Sequence, residues 1–297
     1  MWKKISSIFL VLVFLAGLGI FTYPITADQW NKYHQSRAIK RYEERVQLEF
    51  GGNLEETWEE AKTYNSSITE NSFEGDVFSQ EEESMRGSEY WSVLNIGDNG
   101  IMGYISIPKI EQQLAIYHGT SDYILQQGVG HMSGTSLPIG EESSHAVLAG
   151  HRGLPSAKLF SDIDKLEIGD KFYIHVLDKV FAYEVDQILP MVDKDDNEAL
   201  AEAMKIEEGE NYVTLFTCTP YGINSHRLIV RGKNIEYHGE DDPEKITTET
   251  MLESIKNYYM LYIILITAVV IFTTVLIIII RGVISVVKAK GAKNEKV

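Results

Sequence analysis

The chain has 297 residues, a net charge of −16 and one cysteine, enough length for about two domains or one large β-barrel domain. Two uncharged stretches, residues 5–27 and 257–280, are 23 and 24 residues long. Each exceeds the roughly 20 apolar residues that a helix needs to cross a bilayer, which argues against a soluble cytosolic enzyme.

Charge sets the expected orientation, because short cytoplasmic flanks carry the excess of lysine and arginine. Lys3 and Lys4 precede the first run, and Arg281, Lys288, Lys290, Lys293 and Lys296 follow the second. Glu295 is the one acidic residue in those flanks, so 20 basic and 42 acidic residues lie between the runs, a net charge of −22. Both termini are expected on the cytoplasmic side and the acidic middle outside. A nucleic-acid partner is excluded, since it requires a basic surface. Residues 1–27 read either as a retained anchor or as a cleaved signal peptide, with Ile25-Thr26-Ala27 a poor match to a small-residue cleavage site. Residues 257–280 read as a transmembrane helix and 281–297 as a basic tail.

Residues 28–67 have helical texture, with Leu54, Trp58, Ala61 and Tyr64 on one face and Asn53 and Glu56 spaced as a capping box. That segment is expected to pack on the main domain. Residues 68–92, rich in Glu, Ser, Gly and Asn, read as a long loop or flap. From residue 93 to 240, short runs rich in Val, Ile, Tyr and Leu alternate with Gly, Asp and Pro, the signature of strands. The candidates are 102–107, 113–117, 146–149, 171–176, 181–188, 211–217 and 228–232, which suggest a closed or nearly closed β-barrel. A helix is expected over 198–204, capped by Asp195 or Asp196. Residues 241–256 form a polar linker.

A lone cysteine in an exported chain allows no internal disulfide. In the run Thr214-Leu215-Phe216-Thr217-Cys218-Thr219-Pro220-Tyr221-Gly222, Cys218 ends a candidate strand, Pro220 and Gly222 make a turn, and Arg227 opens the return strand. An antiparallel return puts Arg227 beside Cys218, where a guanidinium favours a thiolate and holds charge on an oxyanion. A thiol nucleophile also needs a base, usually a histidine from elsewhere in the chain. His151, just past the end of strand 146–149, is the best placed of eight histidines; His145, His131 and His226 are its rivals.

Asp193, Asp195 and Asn197 imitate the start of a calcium loop, but Glu198 stands where Gly is required and Met204 where Glu must bind. Tyr117-His118-Gly119-Thr120 resembles a motif of L,D-transpeptidases, whose arginine follows the cysteine by only two residues. Here Arg227 follows Cys218 by nine.

Together these residues resemble the sortases, cysteine transpeptidases of Gram-positive cell surfaces, and within them the class C, pilin-polymerising group. The resemblance rests on Thr-Leu-Phe-Thr-Cys218 with Arg227, on His151-Arg152-Gly153-Leu154-Pro155 with Ala157-Lys158-Leu159-Phe160, and on Thr219-Pro220-Tyr221-Gly222-Ile223-Asn224-Ser225-His226. Ile107-Pro108-Lys109-Ile110, Tyr117-His118-Gly119-Thr120 and Gly128-Val129-Gly130-His131 fit as well, so that it covers roughly residues 28–240. It implies a sortase barrel with Cys218 as nucleophile, His151 as acid and base, and Arg227 as oxyanion stabiliser. It implies an LPxTG-like sorting signal cut between Thr and Gly, the acyl group passing to a lysine amine of a pilin subunit, with hydrolysis as a side reaction and no metal or organic cofactor. Class C members commonly carry a flap with an Asp-Pro-aromatic motif. Asp76-Val77-Phe78 stands at that place, and without the proline, which narrows the free chain's conformations, a looser lid is expected. A sortase that anchors proteins to peptidoglycan is the alternative within the family. Outside it stands a non-enzymatic, membrane-anchored adhesin or assembly factor with a buried cysteine. The location implied is a Gram-positive cell membrane, with the catalytic domain outside.

Overall fold

The computed structural model describes residues 2–49, 54–68, 70, 78 and 87–239, with residues 263, 266–270, 272–274, 277–278, 281–282 and 285 toward the C-terminus. The chain divides into two compact units, Met1–Asp241 and Asp242–Val297. The described residues of the second unit are helical. Among the described residues no helix is long and apolar enough to cross a membrane, so the two uncharged runs are read as spans from sequence alone. Most of the second run, all of the 241–256 linker and most of the 68–92 flap, including Asp76, lie outside the described residues.

The first unit is a closed barrel of eight strands: β1 (Ile101–Ile107), β2 (Gln112–His118), β3 (Val129–His131), β4 (Ser144–Ala149), β5 (Lys171–Val176), β6 (Lys179–Asp193), β7 (Asn211–Thr219) and β8 (His226–Ile235). Around the barrel they run β1-β2-β3-β4-β7-β8-β6-β5. The β2/β3 and β4/β7 pairs are parallel and all others antiparallel. Closure removes the free strand edges that an open sheet would expose. β6 is longer than the sequence suggests because Pro190 does not end it. The pairing with β8 shifts between Leu189 and Val192, and Pro, which has no N–H for a ladder bond, is tolerated in such an irregularity.

Helix α1 (Trp2–Glu49) is continuous through the first uncharged run and contains Pro24. Its later turns bury Ala38, Ile39, Tyr42 and Val46 against Ile101, Tyr104, Ala115 and Tyr117 of β1 and β2. The Tyr42 hydroxyl donates to Met102 O at 3.0 Å and accepts from Leu177 N at 2.8 Å, tying the helix to two strand ends. The helical segment expected over 28–67 is supplied by the later turns of α1 and by α2 (Leu54–Ser67). Helix α2 seats Trp58, Ala61 and Tyr64 on the main core, and Asn65 exchanges bonds with Leu137 N at 2.7 Å and Leu137 O at 3.2 Å. The short α3 (Glu89–Ser92) is capped by Ser88. Among the described residues two further short helices follow, α4 (Asp122–Gln127), capped by Ser121, and α5 (Asn197–Ala203), capped by Asp196.

Tyr42→Phe removes both bonds and leaves a buried N–H and a buried carbonyl without that partner, at about 1–3 kcal/mol for such a group. The expected result is a lower urea midpoint at unchanged slope; an unchanged midpoint contradicts the docking of α1 on the barrel.

Candidate active site

β7 is hydrogen-bonded to β8 on one side and to β4 on the other, and it assembles the site from both. On the β8 side the register pairs Cys218 with Arg227 and Thr219 with His226. Directly opposed residues in an antiparallel pair lie about 4.5–5.5 Å apart at Cα, so the return strand delivers the guanidinium beside the sulfur. Cys218 and Arg227 are both buried. The connecting turn carries Gly222 and Asn224 at positive φ, and Asn224 is among the few side chains that adopt that region readily. Arg227 Nη1 donates to Asn224 O and to His226 O, both at 3.0 Å. The guanidinium is thus held by carbonyls of its own turn.

On the β4 side the parallel register ends with Ala149 opposite Phe216, yet the pairing continues for one more residue. Gly150 N donates to Phe216 O at 3.1 Å, and Thr217 Oγ1 donates to Gly150 O at 2.6 Å. His151, the next residue, is therefore carried alongside Cys218 across a neighbouring-strand spacing of about 4.8 Å. A glycine is required just before it, because a Cβ on Gly150 would lie 2.6 Å from the Phe160 ring. His151 O in turn accepts from Phe160 N at 3.2 Å, which fixes the start of the loop. Nearby, Arg152 Nη1 donates to Thr219 Oγ1 at 3.2 Å and the same side chain pairs with Asp164.

Phe78 closes the constellation from above. Its ring stacks on His151 with centroids 5.8 Å apart and planes 8° apart, and the Arg227 guanidinium carbon lies 5.2 Å from the ring centroid. The same ring meets Phe216 at 6.0 Å and joins the small core of Met132, Leu200, Phe216 and Ile229. The imidazole and the guanidinium thus share one aromatic ring, within cation–π range for the arginine.

Sequence reasoning missed Asp122, whose Oδ1 lies 3.4 Å from His151 Nε2. The geometry makes no hydrogen bond, so the contact is an ion pair only when the imidazole is protonated. The carboxylate is mostly exposed, which limits such a pair to about 1 kcal/mol or less. Its helix is six residues long, too short to leave a periodic signal.

Two of the three rival histidines, His131 and His145, are buried in the core, and the third, His226, is half-buried on the turn. His131 is fully buried, with Nε2 2.8 Å from Ser136 O and Nδ1 2.9 Å from the Tyr90 hydroxyl, and burial pushes its pKa down to about 3. His145 lies between Lys205 O and Thr214 Oγ1, each at 2.8 Å, and burial pushes it down to about 4. His226 is engaged with Ser225 Oγ at 2.8 Å on the turn. His118, of the Tyr-His-Gly-Thr motif, is buried between Val93 O and Gly100 O.

A model of the sortase domain matches residues 105–235. Among solved structures, sortase C of Streptococcus pneumoniae is 45% identical, covering 68% of this chain and 97% of that one at a TM-score of 0.57. Sortase C1 of Streptococcus agalactiae is 44% identical, covering 68% and 100% at a TM-score of 0.59. Among curated relatives, sortase SrtE2 of Streptomyces coelicolor is 31% identical over 156 residues, 48% of this chain, and the match spans 61% of that protein. The chain belongs to the sortase family, and its structural neighbours are sortase C enzymes.

The buried histidines give a measurable pH dependence. Below about pH 6.5 the unfolded chain binds protons at His131 and His145 that the folded chain refuses until about 3 and about 4. The folded pKa values lie below the unfolded ones, so stability is full above pH 6.5 and falls as pH drops through that window. Urea midpoints should decline between pH 6.5 and 4, and His145→Gln should remove about one proton's share of that slope. A slope unaltered by His145→Gln contradicts the assignment.

Proposed function

We propose that this protein is a membrane-held, extracellular cysteine transpeptidase that polymerises pilin subunits. Its substrate is an LPxTG-like sorting signal cut between Thr and Gly. The observation that carries the reading is the register of β7, with Arg227 opposite Cys218 on one side and His151 alongside on the other.

The Cys218 thiolate attacks the threonine carbonyl, and the oxyanion that forms takes hydrogen bonds from the Arg227 guanidinium. Protonated His151 gives its proton to the departing glycine amine as the C–N bond breaks, leaving a thioester on Sγ. A lysine amine of the next subunit then adds to the thioester carbonyl and loses a proton to His151. Cys218 departs as the thiolate, and an isopeptide bond remains. The proton that leaves on the glycine amine is replaced by the one taken from the lysine amine, so Cys218 and His151 end in the states in which they began, and the acyl group changes partner at each step. No cofactor enters this scheme.

Residues 5–27 and 257–280 anchor the chain in this reading, with the 93–240 domain outside a Gram-positive membrane and both termini within; the length and charge of those runs support it. Asp76 and Phe78 serve as the lid. The contacts of Phe78 with His151 and Arg227 support the aromatic half of that role.

Intact mass spectrometry of the protein incubated with a sorting peptide should show an acyl adduct that Cys218→Ala abolishes. Adding purified pilin should then give covalent ladders. Products formed only with a wall-precursor amine would favour the anchoring sortase, and a silent Cys218→Ala would favour a non-enzymatic role.

Phe78→Ala should raise the rate of Cys218 alkylation by about tenfold, the equivalent of one aromatic contact worth about 1.4 kcal/mol. Unchanged alkylation and unchanged peptide turnover contradict the lid.

A further inference from the structure

Helix α1 lies along the barrel in one definite sense. Asp28 Oδ1 accepts from Lys158 N at 3.1 Å, in the segment that follows His151. Two turns on, Gln35 Oε1 accepts from Ala115 N at 3.0 Å and its amide donates to Gln127 O. Two turns further, Tyr42 bonds Met102 and Leu177. Leu177 lies at the β5–β6 connection, the end of the barrel away from Cys218, because β6 reaches the site end only where Asp193 pairs with His226. Read toward its N-terminus, the docked helix therefore climbs from the far end to the site end.

The uncharged run finishes at Ala27, one residue before Asp28. At 1.5 Å per residue its 23 residues extend about 35 Å, and they leave the barrel from the end where Cys218, His151 and Arg227 are grouped. Pro24 lies within α1, and a proline kink changes the tilt of the run without moving its point of departure.

The surface at that end carries an apolar and aromatic patch, set among exposed charged residues that include Asp122, Lys158, Lys194 and Asp195. Trp30 is 67% exposed and Ile223 is 71% exposed, and Tyr23 and Tyr221 are exposed as well. Tyr221 lies over Gly153 of the His151 loop. Between α1 and that loop is a cavity of about 650 Å³ whose lining joins Tyr23, Ala27, Trp30 and Leu154 to the polar Thr26, Asn31, Gln126 and Ser156. Aromatic side chains with hydroxyl and indole groups are what the boundary between hydrocarbon and headgroups selects, and lysine and arginine are absent from the lining of this cavity. The match is to uncharged interfacial chemistry rather than to attraction by anionic lipid.

We propose that the barrel stands on the bilayer with its active-site end facing the membrane, with Tyr23, Trp30, Tyr221 and Ile223 seated in the headgroup region. The inference rests on residues 5–27 being a retained span. Its consequence is that Cys218 opens at the membrane surface and receives sorting signals presented there by chains still held in the same bilayer.

The test uses the full chain in phosphatidylcholine vesicles, with Cys218→Ala as background and single cysteines at Trp30→Cys, Ile223→Cys or Glu208→Cys, each carrying an environment-sensitive fluorophore. Glu208 is exposed just before β7, some 25–30 Å from the site by the rise of a nine-residue strand. Headgroup-attached nitroxide lipids should quench the labels at positions 30 and 223 several-fold more than the label at 208. If the protein floats with the vesicles but positions 223 and 208 are quenched alike, the anchor stands and the orientation is wrong. If position 30 alone is quenched, the barrel stands off the membrane and the proposal fails. If the protein does not float, the retained-span reading fails and takes the inference with it.

Discussion

The chemistry depends on one strand having two fixed neighbours. β7 is hydrogen-bonded to β4 in parallel and to β8 in antiparallel register, so His151 and Arg227 reach Cys218 from opposite sides. Because side chains alternate along a strand, a slip of one residue on either side would turn a partner to the other face of the sheet. The core prevents that slip. Val213 and Leu215 face one cluster and Phe216 the other, with Leu228 and Val230 following in the first and Ile229 in the second. Burial of these side chains on both sheet faces specifies the register, and the register specifies the site.

Polar groups next to this core are satisfied in two different ways. His118, His131 and His145 are enclosed and bonded to backbone or hydroxyl groups, with burial lowering their pKa values. They brace loops: His131 and the Tyr90 hydroxyl join α3 to β3, and Gly119 N donates to that hydroxyl at 3.0 Å. His151 instead lies just beyond a strand end, under a ring that belongs to the flap. Arg227 is held by two carbonyls before any substrate arrives, and donors oriented in advance need little reorganisation when negative charge develops.

Much of this was legible in the residues. The Cys218–Arg227 hairpin followed from Pro220 and Gly222 between two apolar runs, and the barrel followed from the number and brevity of those runs. β3 was not read as a strand, because Val129–His131 has three residues with Gly130 at its centre, too few for alternation to register. α4 escaped for the same reason. The place of His151 just past a strand end favours it over His131 and His145, but the enclosure of those two is not legible, since it depends on strands distant in the chain. The acidic residues at 193–198 serve the fold, with Asp196 Oδ1 accepting from Ala199 N at 3.0 Å to cap α5.

The most direct test is a crystal structure of the protein with a sorting-signal analogue bonded to Sγ of Cys218. The account predicts that the threonine carbonyl oxygen lies within hydrogen-bond distance of the Arg227 guanidinium, that the leaving-group side faces His151, and that the Phe78 ring is displaced. A bound carbonyl turned away from Arg227, with His151 on the opposite side of the sheet, would contradict it.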